Sequence, residues 1–430
     1  MIPRILLVNP PIYDFAAFDF WSRPYGLLSV AGFLRGKAHL TLFDYLDRPA
    51  FPDTKQKLFK PDAWGRGRFP EQIIQRPKCL AGITRYFRRF GRPRKIFHEF
   101  LTQQQPTQFV FIQTMMTYWY PGVAEVIEDI RKVRPATKIV LGGNYASLCP
   151  AHAKKLHPDL LIYGDVLEPL WSFIDLQPDL NMPALWDTYQ KLDVGVLKLS
   201  DGCPFNCTYC SVPKVYDTFK PRSLDRALAE LDLLCKLGAK NIAFYDDALL
   251  FNAEKVLIPF LEKVRQKNIK INFHSPNALN ARFITKPLAD AMTNTGFKTF
   301  YLGFESCSEK WQKKTGSKVL SPELATAVEH LKAAGAQPRN ITAYQILGHP
   351  LGDIQQLEDS MRFVNSLGIL GMLADFSPIP GTPDGEFCRK WVDLDEPLMH
   401  NKTAFPIITM GFDESNRLKD LQRKLNRAIR

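Results

Sequence analysis

The chain has 430 residues, 45% hydrophobic and 23% charged, an ordinary globular balance with room for two or three domains. No stretch approaches the roughly 20 apolar residues of a membrane span. Residues 5–8 are too short an apolar run before Asn9-Pro10-Pro11 for a signal peptide, so a cytoplasmic protein is expected. A net charge of +12 favours an acidic partner such as nucleic acid, anionic lipid or a phosphorylated metabolite.

Residues 1–180 alternate short apolar runs with helical patterns, as a Rossmann-like doubly wound parallel sheet does. Strands are expected at 5–8, 40–43, 109–112, 139–141 and 160–163, and helices at 26–35 and 123–133. A basic, Pro-rich insertion spans 47–106. Within it Arg85-Tyr86-Phe87-Arg88-Arg89-Phe90 and Arg92-Pro93-Arg94-Lys95 interleave basic and aromatic residues. A solvated basic helix is the expected form, with a phosphate or nucleic-acid contact as the alternative. Ligands of such sheets bind beyond the carboxyl ends of the strands. Here those ends are Asn9-Pro10-Pro11, Gln113-Thr114-Met115, Gly142-Gly143-Asn144 and Gly164-Asp165.

A linker near 175–192 leads to six further strand and helix units. Strands are expected at 194–199, 241–245, 269–273, 299–302, 341–347 and 369–376. Helices are expected at 224–237, about 254–267, after Thr285, after Ser321 and near 354–367. Polar groups end one strand after another: Asp246-Asp247, Gly303-Phe304-Glu305 and Gly348-His349-Pro350. Six units rather than eight point to a partial (β/α)6 TIM-type barrel with its site at that face. The expected fold class is therefore α/β, with domains at 1–180 and 190–385 and a C-terminal extension at 386–430.

The most informative segment is Gly202-Cys203-Pro204-Phe205-Asn206-Cys207-Thr208-Tyr209-Cys210. Its C-x3-C-x2-C spacing lets one loop wrap the thiolates of Cys203, Cys207 and Cys210 around a single inorganic site. Thiolates are soft ligands that favour iron–sulfur clusters or zinc. No fourth ligand is near: the next cysteines are Cys149 and Cys235, and the nearest histidine is His157. Three ligands on a four-iron cluster leave one iron open to bind a substrate or cofactor and pass it an electron. A zinc site completed by a distant residue is the alternative. Cys79, Cys149, Cys235, Cys307 and Cys388 are scattered and read as small apolar residues, not a disulfide framework.

These residues give the second half a resemblance to radical S-adenosylmethionine (SAM) enzymes. The whole chain resembles the subfamily with an N-terminal cobalamin (B12)-binding-type domain. The phrases Phe244-Tyr245-Asp246-Asp247, Asn277-Ala278-Leu279-Asn280-Ala281-Arg282, Leu302-Gly303-Phe304-Glu305-Ser306 and Ser377-Pro378-Ile379-Pro380-Gly381-Thr382 add to it by their order. The resemblance implies that Cys203, Cys207 and Cys210 hold a [4Fe–4S] cluster that cleaves SAM to a 5′-deoxyadenosyl radical. It implies that Tyr209 lies against the adenine, with loop packing as the alternative, and that Asp246 or Asp247 binds the amino end of SAM, with helix N-capping by one of them as the alternative. Glu305 is implied at the ribose hydroxyls, or in a salt bridge with Arg282. Arg282 is alternatively implied at the SAM carboxylate, and Gly348 and Pro350 near the adenine. His349 between them is expected to be solvated or structural, with catalysis as the alternative.

The first domain departs from the subfamily. The usual Asp-x-His-x-x-Gly signature is replaced by Asn9-Pro10-Pro11-Ile12-Tyr13-Asp14, without a histidine. Cobalamin is expected to bind without a protein axial ligand, through Asn9, Gln113, Thr114, Gly142, Gly143 and Asn144; retention of the fold without the cofactor is the alternative. Met115-Met116-Thr117-Tyr118-Trp119-Tyr120 reads either as packing toward the corrin or as a core stripe. The expected activity is a cobalamin-dependent methyltransferase acting on an unactivated carbon. The alternatives are a cobalamin-independent radical SAM enzyme of RNA modification, ring formation or oxidoreduction, and a non-catalytic iron–sulfur electron carrier. The expected partners are a small-molecule or lipid-like substrate, held in part by Asn401 and Lys402, and an external electron donor of flavodoxin or ferredoxin type.

Overall fold

A computed structural model describes residues 2–48, 61–316 and 318–429. Residues 49–60 of the expected insertion lie outside the described residues. The chain divides into two compact units, Met1–Leu192 with Asp393–Asn401, and Asp193–Val392 with Lys402–Arg430.

The first unit is built on a five-stranded parallel sheet. In chain order its strands are Arg4–Asn9, His39–Asp44, Phe109–Thr114, Lys138–Gly143 and Leu160–Leu161. Across the sheet they lie in the order 2-1-3-4-5. Side chains alternate between two cores, as the strand period of two requires. Leu6 and Val8 pack with Val123, Val126 and Ile130 of helix Tyr120–Val133. Ile5 and Leu7 pack on the other face with Leu27 and Ala31 of helix Tyr25–Gly32.

The second unit carries a six-stranded parallel sheet whose strands follow one another in sequence. They are Val194–Leu197, Asn241–Phe244, Asn272–Asn280, Phe297–Glu305, Ile341–Leu347 and Leu370–Asp375. The connecting helices start on recognisable signals. Ser223 accepts a bond from the Arg226 amide ahead of helix Leu224–Lys236. Thr285 does the same for Leu288, with Pro287 in the first turn of helix Lys286–Asn294. Strand Asn272–Asn280 runs well past the expected 269–273, because two register shifts carry its pairing through Pro276 to Asn280. The C-terminal helix Phe412–Arg427 buries Leu418 against Leu347, Leu357 and Met361.

The basic stretch at 85–95 is not a solvated helix. Phe87–Phe90 is the middle strand of a three-stranded antiparallel sheet, between Ile12–Asp14 and Glu71–Ile74. Its arginines turn inward to distant partners. Arg88 donates to the Phe15 carbonyl, Arg92 lies 4.5 Å from the Phe43 ring centroid, and Arg94 pairs with Asp129. Arg89 meets Glu125 through two bonds, Nε at 2.9 Å and Nη2 at 2.6 Å, with both side chains buried. Removing one partner of such a pair leaves the other charge buried and alone. Arg89→Ala is therefore expected to cost roughly 3–5 kcal/mol, read as a lower urea midpoint. An unchanged midpoint would contradict the buried pair.

Candidate functional site: a three-cysteine loop at the strand ends

The cysteines sit in a loop between two short strands, Ser200–Asp201 and Lys220–Pro221, which pair antiparallel. Gly202 enters the loop at φ +73°, and a Cβ there would lie 2.3 Å from the Thr218 carbonyl oxygen. Only glycine meets both demands. Inside the loop the Cys210 amide donates to the Cys207 carbonyl. Cys207 is buried, and Cys203 and Cys210 are partly exposed. Burial pushes all three thiols up, Cys210 to about 12, while the nearby Lys318 ammonium pulls them down.

Asp246 anchors the entrance. Its fully buried carboxylate accepts from the Leu199 amide at 2.9 Å, the Ser200 amide at 2.6 Å and the Ser200 hydroxyl at 2.7 Å. It therefore fixes the strand end and does not face outward. Asp247 differs. Its Oδ2 is buried without a hydrogen bond, 3.6 Å from Lys198 Nζ. Lys198 in turn lies 2.9 Å from Asp201, which Arg222 clasps with two bonds.

Glu305 ends its strand at φ +69°, a conformation that costs a non-glycine residue energy, just where the pairing register shifts. Its carboxylate meets Lys318 at 3.1 Å, not Arg282. Arg282 pairs with Glu323 at 3.0 Å. Tyr209 stacks on Trp311, with ring centroids 6.0 Å apart. Gly348 takes φ +79° and has Pro406 where a Cβ would point, so its need for glycine comes from packing; Pro350 beside it is partly buried. His349 is buried, with both ring nitrogens bonded.

Lys318 and Gly316 escaped the sequence reading. A Cβ on Gly316 would lie 3.3 Å from Cys207 Sγ, so the Thr315-Gly316 turn closes directly on the loop. The signal was a Thr-Gly pair ending helix Glu309–Thr315. A separate cavity of about 480 Å³ opens at the opposite, amino ends of the strands, among Lys240, Arg265 and Lys270. It contains none of the cysteines.

In the first unit, a small cleft of about 20 Å³ lies at the carboxyl ends of the first and third strands, lined by Asn9, Pro10, Pro11, Gln113, Met115 and Met116. Several expected contacts there are engaged within the fold. Asn9 donates to Asp44 at 2.7 Å, and Thr114 donates to the Gly142 carbonyl at 2.9 Å. Gln113 accepts from the Leu27 amide at 3.0 Å. Gly143, at φ +96°, has the Thr114 carbonyl where a Cβ would go. Asn144 is exposed. Of the 115–120 stripe, Tyr118 is core and Met116 is exposed. Asn401 is buried and donates to Asp14.

Three free thiols on one loop, beside a partly buried lysine and with no fourth thiol or imidazole in the loop, are donors of the type that suits an iron–sulfur group with one position to spare. The fold and site thus define an α/β protein of parallel sheets with a three-cysteine loop at its strand ends. Residues 197–364, a span that includes the cysteine loop, match the radical SAM superfamily.

An uncharacterized methyltransferase of Pyrococcus horikoshii is 28% identical over 222 residues, 48% of this chain and 47% of that protein. The chain spans about half the length of the curated relatives it matches. Among solved structures, the radical SAM methyltransferase TsrM of Kitasatospora setae, bound to tryptophan and a SAM analog, is similar at TM-score 0.65 and 14% identity, covering 90% of this chain and 76% of that one. The cobalamin-dependent SAM radical enzyme OxsB is similar at TM-score 0.58 and 15% identity, covering 99% of this chain and 62% of that one.

Asp246 gives a pH test. Burial raises its carboxyl to about 6, while the Ser200 and Leu199 donors hold it down. Between roughly pH 4 and 6 the folded chain then keeps a proton that the unfolded chain, near 3.9, has lost. Stability conferred by this group is present below pH 4 and declines as pH rises through 6. Wild type is expected to lose roughly 3 kcal/mol relative to Asp246→Asn across that window, measured on the apoprotein by urea unfolding. Parallel pH profiles for the two proteins would contradict it.

Proposed function

We propose that the chain is a cobalamin-dependent radical SAM methyltransferase acting on an unactivated carbon of a small or lipid-like molecule. One observation carries the cobalamin part. The first sheet, outside the matched domain, has the 2-1-3-4-5 order, and its cleft lies at the switch point between the first and third strands. Sheets of this order bind their cofactors at that point. We read this sheet as a Rossmann-like cobalamin-binding-type domain and the six-stranded sheet as a partial (β/α)6 barrel. TsrM has been solved with cobalamin and a [4Fe–4S] cluster bound, which supports the reading.

Cys203, Cys207 and Cys210 would hold the cluster. Asp247, with its unbonded buried Oδ2, is the acceptor for the amino end of SAM, because Asp246 is engaged with the backbone. Glu305 would take the ribose hydroxyls, and Lys318 offsets the charge of the thiolates. When bound, the cluster supplies the electron that cleaves SAM, and cobalamin carries the methyl group. In the first unit Pro10, Pro11 and Met115 present apolar surface, and Asn144 an exposed amide. The loop at 9–14 offers no imidazole to a bound corrin.

Wild-type protein reconstituted with iron, sulfide and cobalamin is expected to carry stoichiometric cobalamin through gel filtration, read by visible absorbance. It is then expected to transfer a labelled methyl group from SAM. Absence of retained cobalamin would contradict the methyltransferase reading and leave a cobalamin-independent radical SAM enzyme.

A further inference from the structure

Thr208 lies between Cys207 and Cys210, and every polar group it has is bonded. Its amide donates to the Thr315 carbonyl at 3.1 Å. Its carbonyl accepts from the Asp384 amide at 3.1 Å. Its hydroxyl donates to Asp384 Oδ2 at 2.5 Å. Asp384 therefore grips one residue of the cysteine loop from both its backbone and its side chain, across 176 positions of sequence.

Asp384 is itself held. His349 Nε2 lies 2.9 Å from the same Oδ2. His349 Nδ1 accepts from Trp311 Nε1 at 3.3 Å and from the Leu351 amide at 3.2 Å. With Nδ1 an acceptor, the ring proton sits on Nε2 and is donated to Asp384. His349, Asp384 and Trp311 are all buried. Asp384 belongs to the turn of helix Pro383–Phe387, whose first turn Thr382 caps by accepting from the Gly385 amide. A Cβ on Gly385 would lie 1.8 Å from the Ile379 carbonyl oxygen, so this turn has little freedom.

We propose that Asp384, oriented by His349, is a positioning residue for the cluster: it clamps Thr208 and so sets the Cys207-to-Cys210 turn. The proposal rests on the reading of Cys203, Cys207 and Cys210 as cluster ligands. Asp384 and His349 are not among the three candidate ligands. Their effect passes through the peptide that joins two of the ligands, as partners behind metal ligands do elsewhere. The clamp also ties the loop to the segment Ile379–Gly385.

The test uses reconstituted full-length protein and four variants. Thr208→Val keeps the shape and removes the hydroxyl. Asp384→Asn keeps the size and removes the charge. His349→Gln retains an N–H donor, and His349→Leu does not. Two readouts are taken: iron release to a chelator, and the electron paramagnetic resonance spectrum of the reduced cluster. Thr208→Val and Asp384→Asn are expected to release iron about tenfold faster with altered spectra. The double variant is expected to be no worse than the more severe single one. His349→Gln should stay near wild type while His349→Leu resembles Asp384→Asn. If Asp384→Asn fails to fold, Thr208→Val decides, since it deletes one hydroxyl without changing volume. Wild-type release rates and spectra in Thr208→Val and Asp384→Asn would overturn the clamp. A wild type that assembles no cluster would overturn the underlying reading, and the clamp with it.

Discussion

The buried carboxylate of Asp246 fixes where the first strand of the second unit ends, and the rest of the site depends on that point. Three bonds from Leu199 and Ser200 stop the strand and turn the chain into the cysteine loop. A loop of this kind has few bonds of its own. It is held from outside, by Asp246 at its entrance, by the Thr315-Gly316 turn against Cys207, and by Asp384 at Thr208. Burial alone works against the ionised form of these thiols.

The strand ends supply complementary chemistry around this loop. Glu305 is turned inward by a register shift and a left-handed backbone, and it brings Lys318 with it. Asp247 keeps an oxygen unbonded, whereas its neighbour Asp246 has none to spare. Two adjacent carboxylates thus differ, one engaged with the backbone and one facing Lys198. In the first unit, polar and apolar residues likewise take different places at the switch point. Asn9 and Thr114 secure the loops, while Pro10, Pro11 and Met116 are left to line the cleft.

Much of this was legible in the sequence, for a physical reason. Buried parallel strands read as apolar runs, so Ile5–Val8 and Ile341–Leu347 stood out, and capping residues marked Leu224 and Lys286. The cysteine spacing is local and was read directly. What failed was non-local. Arg89 looks solvated until Glu125 is brought beside it by the fold. A salt bridge between Arg282 and Glu305, the alternative reading of Glu305, does not form: each has a different partner, Glu323 and Lys318. His349 between Gly348 and Pro350 carried no hint of Asp384 or Trp311. Lys318 and Asp384 are ordinary surface types in sequence, and only the closing of the sheet brings them to the loop.

The central claim is that the three cysteines form a SAM-cleaving centre. Its most direct measurement is 5′-deoxyadenosine formed from SAM by anaerobically reconstituted, dithionite-reduced protein, compared with Cys207→Ala prepared the same way. Wild type is expected to form it and Cys207→Ala is not. No product from wild type carrying a full complement of iron, or equal product from both proteins, would contradict the claim.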